Sequence, residues 1–303
     1  MSLLKNIAIR TRRAVRESSE GQDYRDSYSD NYFMSKVMSM DSQPETSRVG
    51  SSYVHVSSLI GMCVRKYLLA YVSQAERTET VKSSMRLVWA LGRAAETHVR
   101  SQFIKAVNYE GVVGMWKCKC GHLKVEGLYD DTMKCPRCTK KAKEYTEAVL
   151  FDHEARIVGS PDLIYIRPDN KKLMVVECKS MNKKDFEVLT EPKVDHILQA
   201  MAYNKLLSLN GGQVDEYVTI LYVCKDYQFS SPYKEFRVST SRIGVGLALL
   251  GMWGRARTFT EQKKNHDEGK EVKYPDRLSL CISNADKTPT ECSFSGMCFS
   301  VRQ

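Results

Sequence analysis

Residues 1 to about 50 are rich in Ser, Asp, Tyr and Arg, keep no apolar periodicity and end in "DSQPETSRVGSS", which predicts a flexible N-terminal arm. Its first sixteen residues carry five basic groups and no acid. A short basic amphipathic helix or a transit peptide would show the same pattern, but a flexible arm is the simpler reading. From residue 51 onward the apolar positions become regular. They recur at helical spacing in "YVHVSSLIGMCVRKYLLAYV", where Ser57 or Ser58 caps a helix carrying Leu59, Ile60, Cys63 and Tyr67. The longer "SSMRLVWALGRAAETHVRSQFIKAV" predicts a second helix. Two strands, "ARIVGSPDLIYIRP" and "KLMVVECKSM", are joined by the turn "RPDNKK". A helix follows in "TEPKVDHILQAMAYNKLLSLNGG", with Thr190 as cap, Pro192 in the first turn and Gly211-Gly212 as the stop. Two more strands surround "KDYQFSSPYK", and the helix "STSRIGVGLALLGMWGRARTFTEQKK" leads to a cysteine-rich tail. Helices before, between and after strands predict an α/β fold with a central mixed sheet flanked by helices.

Composition narrows the function classes. The 303 residues are 42% hydrophobic and 27% charged, a soluble globular balance that suits one large domain with insertions or two smaller ones. A net charge of +10 favours an anionic partner, nucleic acid ahead of membrane. No apolar run reaches the roughly 20 residues that span a bilayer, and no secretory core follows the start. The expected location is therefore cytoplasmic, where ten cysteines point to metal ligation rather than disulfides.

Those cysteines fall into groups. Cys118, Cys120, Cys135 and Cys138 form "CKCGH" and "CPRC" with fourteen residues between Cys120 and Cys135, close to the paired knuckles of a zinc ribbon. The first knuckle is CxC rather than CxxC, and His122 is an alternative ligand there. From Val112 to Tyr145 eight Lys or Arg face four Asp or Glu, so this segment either grips a phosphate backbone or staples a region with no core of its own. Cys63 stands far upstream, and Cys281, Cys292 and Cys298 lie near the C-terminus. Cys178 and Cys224 sit in apolar runs and read as small buried hydrophobes.

The chemistry concentrates in "LMVVECKSM". In a strand, Glu177 and Lys179 share one face while Val176 and Cys178 share the other. The hairpin brings Asp162 of "GSPD" to the Glu177 end. Two carboxylates there, with the Cys178 carbonyl, make a site for Mg²⁺ or Mn²⁺, and Lys179 is placed to orient or deprotonate water and to balance a phosphate. Metal-assisted phosphodiester hydrolysis is the chemistry implied. A solvated Glu–Lys pair on a strand edge is the plain alternative.

"GSPD" followed fifteen positions later by "ECK", then by "QAMAY", resembles the Asp…Glu-x-Lys and Gln-x-x-x-Tyr motifs of the PD-(D/E)XK superfamily, in its RecB-like branch. The resemblance implies a restriction-endonuclease-like core in which Gln199 and Tyr203 contact DNA, with His196 one turn earlier on the same helix. It also implies an upstream acid or histidine one turn after a glycine, pointing at the metal. "LGRAAETHVR" offers Glu96 four residues after Gly92, with His98 as the other candidate. Members with an iron–sulfur cluster carry one cysteine before the core and three after it. By that likeness Cys63, Cys281, Cys292 and Cys298 hold a 4Fe–4S cluster, with zinc as the chemical alternative. The ten residues between Cys281 and Cys292 depart from the family, whose members usually have two. The resemblance covers residues 51–303, with 112–145 as a zinc-ribbon-like insertion. It implies a metal-dependent DNA exonuclease acting on single strands or ends, as a homo-oligomer or within a recombination or replication complex. The competing functions are a DNA-binding assembly factor and a structure-specific endonuclease.

Overall fold

The computed structural model describes residues 52–74, 83–226, 231–278, 281, 292 and 294–300. The arm expected over residues 1–50 lies outside them. Its elements run β1 (Val54–His55), α1 (Val56–Leu59), α2 (Val64–Val72), α3 (Ser83–Ala106), β2 (Val112–Lys117), β3 (Lys124–Leu128) and β4 (Glu144–Thr146). There follow β5 (Leu150–Asp152), β6 (Ile157–Gly159), β7 (Leu163–Ile166), β8 (Leu173–Met181), α4 (Lys183–Glu187) and α5 (Val194–Leu209). The chain continues through β9 (Tyr217–Cys224), β10 (Tyr233–Ser239), α6 (Ile243–Asp267) and α7 (Ser295–Ser300).

The fold is mixed α/β. Its main sheet runs β10-β9-β8-β7-β2-β3, with β4 also on β2, and β8 and β9 are its parallel pair. A second sheet of three short strands, β1-β6-β5, lies apart. The expected hairpin is present: Leu163 pairs with Val176 and Ile166 with Leu173. The alternation of β8 divides its side chains between two cores. Val175 and Met181 join the core with Ile197, Met201 and Leu206 of α5 and Ile220 of β9. Val176 and Cys178 join Ile104 of α3, Val112 and Trp116. Helices therefore cover both faces of β8, as a strand with a parallel neighbour requires.

Three local expectations are corrected. The helix over residues 57–67 is two helices, broken at Ile60–Cys63, and neither Ser57 nor Ser58 caps it. Gly61, with φ of +66°, turns the chain, and Cys63 caps α2 by accepting the Lys66 N–H. The cap of α5 is Lys193 rather than Thr190, so Pro192 precedes the helix instead of starting it. The stretch from Ala155 to Pro168 is two strands in different sheets, because Ser160-Pro161-Asp162 carries the chain from β6 to β7. No helix among the described residues is long and apolar enough to cross a membrane.

Candidate active site and cysteine sites

The hairpin β7–β8 opens at Asp162, and there the predicted residues meet. Asp162 Oδ2 accepts the backbone N–H of Cys178 at 2.7 Å, which locks the carboxylate beside β8. Lys179 Nζ donates to Glu177 Oε1 at 2.5 Å, so the two do share a face. Glu177 is only 2% exposed, and its second oxygen, Oε2, is buried with no hydrogen-bond partner. Glu96 arrives from α3, near enough to the Ser180 backbone, Asp162 and Lys179 for each to act on its carboxyl. Its helix comes this close because Gly92, one turn earlier, lies against Ser180: a Cβ there would stand 2.9 Å from Ser180 Oγ. His98 is exposed, so of the two upstream candidates Glu96 is the one at the site.

The electrostatics describe a site crowded with negative charge. Burial, then the Asp162 charge, pushes Glu177 up to about 8. Burial also raises Asp162 from its ordinary value, against the pull of Lys179 and the Cys178 N–H. Glu96 is raised by burial and by Asp162. Burial alone would depress Lys179, but Glu177 overrides it and holds the ammonium above its ordinary value. The pair therefore keeps its cation firmly, and the strain falls on the carboxyl side.

Two residues that the sequence reading did not single out complete the site. Arg100 Nη1 lies 2.6 Å from Glu147 Oε1 and 3.9 Å from Asp162 Oδ1. Arg100 was within reach of pattern reasoning, one turn beyond Glu96 on α3. Glu147 was not, since nothing in "EYTEAVL" marks it. Burial and the nearby Asp162 raise the Glu147 carboxyl, with Arg100 opposing them.

On α5, Gln199 Nε2 donates to the Tyr203 hydroxyl at 3.0 Å. Tyr203 is 5% exposed and senses the Glu177 charge, so it underlies Gln199 at the rim. His196 turns to Tyr222, whose hydroxyl stands 2.8 Å from Nδ1 and accepts the Lys193 N–H. Burial, with Lys179 adding, lowers His196 to about 4. A neutral imidazole thus shares a hydrogen bond with the Tyr222 hydroxyl.

The two cysteine groups differ in spacing. Cys118 Sγ lies 3.2 Å from Cys120 Sγ, which lies 3.7 Å from Cys135 Sγ, and with Cys138 all four sulfurs are within 4.8 Å of one another. Tetrahedral zinc with Zn–S of about 2.3 Å separates its sulfurs by about 3.8 Å, so this donor set fits one such ion. Among the described residues no other three Cys, His, Asp or Glu side chains bring their ligand atoms that close. Cys63, Cys281, Cys292 and Cys298 instead line one cavity with Arg65, Lys66 and Arg277. Arg65 is buried, donating to Cys298 Sγ at 3.2 Å and to the Cys298 carbonyl at 3.2 Å. Residues near the start and near the end of the described chain thus meet there, Cys281 among them. Cys178 and Cys224 are buried in apolar surroundings, as expected.

No protein-family model and no curated protein matches the sequence. Among solved structures the chain is similar to SSO0001, with 16% identity and a TM-score of 0.38, over 90% of this chain and 97% of that one. It is also similar to the alkaline exonuclease LHK-Exo from Laribacter hongkongensis, with 10% identity and a TM-score of 0.40, over 78% of this chain and 98% of that one. The structure of LHK-Exo in complex with dAMP gives 12% identity and a TM-score of 0.40, over 78% and 95%. Likeness at this level carries no argument about activity, which must come from the site itself.

Proposed function

We propose that the chain is a metal-dependent deoxyribonuclease of the PD-(D/E)XK type, removing nucleotides from DNA ends or single strands. One observation carries the reading: Asp162, Glu177 and Glu96 converge with Lys179 at the open end of the hairpin, and Glu177 Oε2 is buried without a partner. A buried carboxylate oxygen left unpaired is costly, and a hard divalent cation is a ligand that suits it together with neighbouring carboxylates. When bound by Glu96, Asp162, Glu177 and the Cys178 carbonyl, Mg²⁺ or Mn²⁺ supplies Lewis-acid stabilisation at the phosphodiester and makes water more acidic.

The chain's own groups do the rest. The Cys178 N–H and Arg100 hold Asp162 in place. Lys179 offers an ammonium that orients water and balances the phosphate charge. Gln199, set by Tyr203, reaches toward the strand from the rim. The +10 net charge favours the polyanion. At the far end, the cavity shared by Cys63, Cys281, Cys292 and Cys298 supports a 4Fe–4S cluster joining the start and end of the domain. Arg65, Lys66 and Arg277, which line the same cavity, would offset the thiolate charge.

Digestion of end-labelled, circular and double-stranded DNA with Mg²⁺ or Mn²⁺ tests the proposal. Nucleotide release from linear ends, with closed circles spared, is expected. Cleavage of circles would assign an endonuclease, and no cleavage of any substrate by metal-loaded protein would end the enzyme reading. Visible absorption and iron analysis after anaerobic purification test the cluster, and colourless protein holding only zinc would contradict it.

A further inference from the structure

The four-cysteine segment meets the catalytic hairpin through β2. At its start, Val112 and Val113 of β2 pair with Tyr165 and Ile164 of β7. At its end, Met115, Trp116 and Lys117 pair with Thr146, Tyr145 and Glu144 of β4. Cys118 follows β2 directly, while Cys135 and Cys138 precede β4. Closing the four thiolates on one ion therefore ties the end of β2 to the approach to β4.

Tyr145 sits at the junction. Its ring crosses β2 over Gly114, where a Cβ would stand 2.2 Å from Tyr145 Cε2, so only glycine leaves room. One side of the ring meets buried Trp116, edge-on at 5.3 Å. Trp116 is itself enclosed by Tyr109 and Tyr129 and donates to the Gly127 carbonyl. At its far end the Tyr145 hydroxyl donates to the Asp162 carbonyl at 3.3 Å. The Arg100 guanidinium stands 5.5 Å over the same ring, and Glu147, two residues on, takes Arg100 at 2.6 Å. A continuous set of contacts thus runs from Trp116, two residues before Cys118, to Asp162.

We infer that Cys118, Cys120, Cys135 and Cys138 hold one zinc ion that acts as a clamp on the carboxylate site. By fixing β4 against β2 the clamp sets Tyr145 and Glu147, and through them Arg100 and Asp162. Tyr145, Glu147 and Arg100 are positioning residues in this arrangement. The inference rests on the nuclease reading for the role of Asp162, but not for the zinc. A segment that merely gripped DNA through its lysines would leave a different signature, a raised KM with the metal affinity of the carboxylates intact.

The test uses the full chain as wild type, Cys135→Ser and Tyr145→Phe. Zinc is counted by elemental analysis, Mn²⁺ binding to the carboxylates is followed by calorimetry, and kcat and KM are measured on DNA. Cys135→Ser is expected to lose one zinc per chain and to bind Mn²⁺ about 10- to 100-fold more weakly, with kcat falling in step and KM little changed. Tyr145→Phe keeps the zinc and should move both in the same direction by about threefold to tenfold. It carries the test if Cys135→Ser does not fold. Equal zinc in wild type and Cys135→Ser overturns the inference. So does zinc loss with unchanged Mn²⁺ affinity, or a rise in KM alone. Calorimetry needs no cleavage, so protein that binds Mn²⁺ as expected but cuts no DNA would sink the nuclease reading and leave the clamp standing.

Discussion

In the four-cysteine segment the sulfurs stand 3.2 and 3.7 Å apart and receive backbone N–H groups such as that of Leu123, whereas at the β7–β8 hairpin the carboxyls of Asp162 and Glu177 are each pushed up by burial. Both regions present ligands, in opposite states of ease. The thiols are gathered by turns that serve them, which is how a structural ion is held. The carboxylates are held by elements that serve the sheet, and their mutual repulsion is relieved only by added positive charge. On the proposed reading, that contrast separates a site built for stability from one built for chemistry.

Breaking the chemical half gives the largest effect. Asp162→Ala should lower cleavage on the order of 10³-fold, since several kcal/mol of charge stabilisation goes with the ligand. Its stability should change by no more than about 2 kcal/mol, because the lost Cys178 N–H acceptor is offset by relief of repulsion with Glu177. Activity on labelled DNA beside a urea unfolding curve reads both. Adding Mn²⁺ probes the same tension from the other side. At about 100 times Kd it should stabilise the wild type by roughly 2.7 kcal/mol in thermal melts, and Asp162→Ala should abolish most of that shift.

A finer probe falls on the join between the two regions. Gly114→Ala pushes on the Tyr145 ring and should cost about 1–3 kcal/mol of stability while zinc content stays at the wild-type level. Unaltered stability and kcat would show that the ring has room to move, and would cut the contact path between the regions.

The smallest effect concerns His196, held neutral at the rim. Its folded value of about 4 lies below the ordinary 6.5, so between those values the unfolded chain binds a proton that the native one does not. Stability therefore rises with pH across that window and is lost as pH falls. The groups facing it are Lys179, Lys193, Asp195 and Tyr222. His196→Gln should flatten the profile between about pH 4 and 6.5, and an unchanged slope would place the titration elsewhere.

The hairpin of the candidate site was legible because its signals are local. Alternation put Glu177 and Lys179 on one face and turn residues paired the strands, while on α3 the family resemblance offered Glu96 and left His98 open beside it. The break between α1 and α2 was less so, since apolar periodicity runs on through Ile60–Cys63 and only Gly61 marks the turn. The second sheet was missed because β1, β5 and β6 are two or three residues long, too short for a period. Arg100, Glu147 and Tyr145 join the site by contacts between distant segments. Glu147 and Tyr145 in particular depend on β4 lying beside β2, which no local pattern announces.

On the proposed reading, Asp162, Glu177 and Lys179 form a cation-dependent phosphodiesterase site. Mn²⁺-dependent release of nucleotides from end-labelled single-stranded DNA, by wild type and by Asp162→Ala of equal fold and zinc content, tests it most directly. The account predicts release by the wild type that stops on chelation with EDTA and is absent in Asp162→Ala. Equal release by the two proteins, or release that survives EDTA, would contradict it.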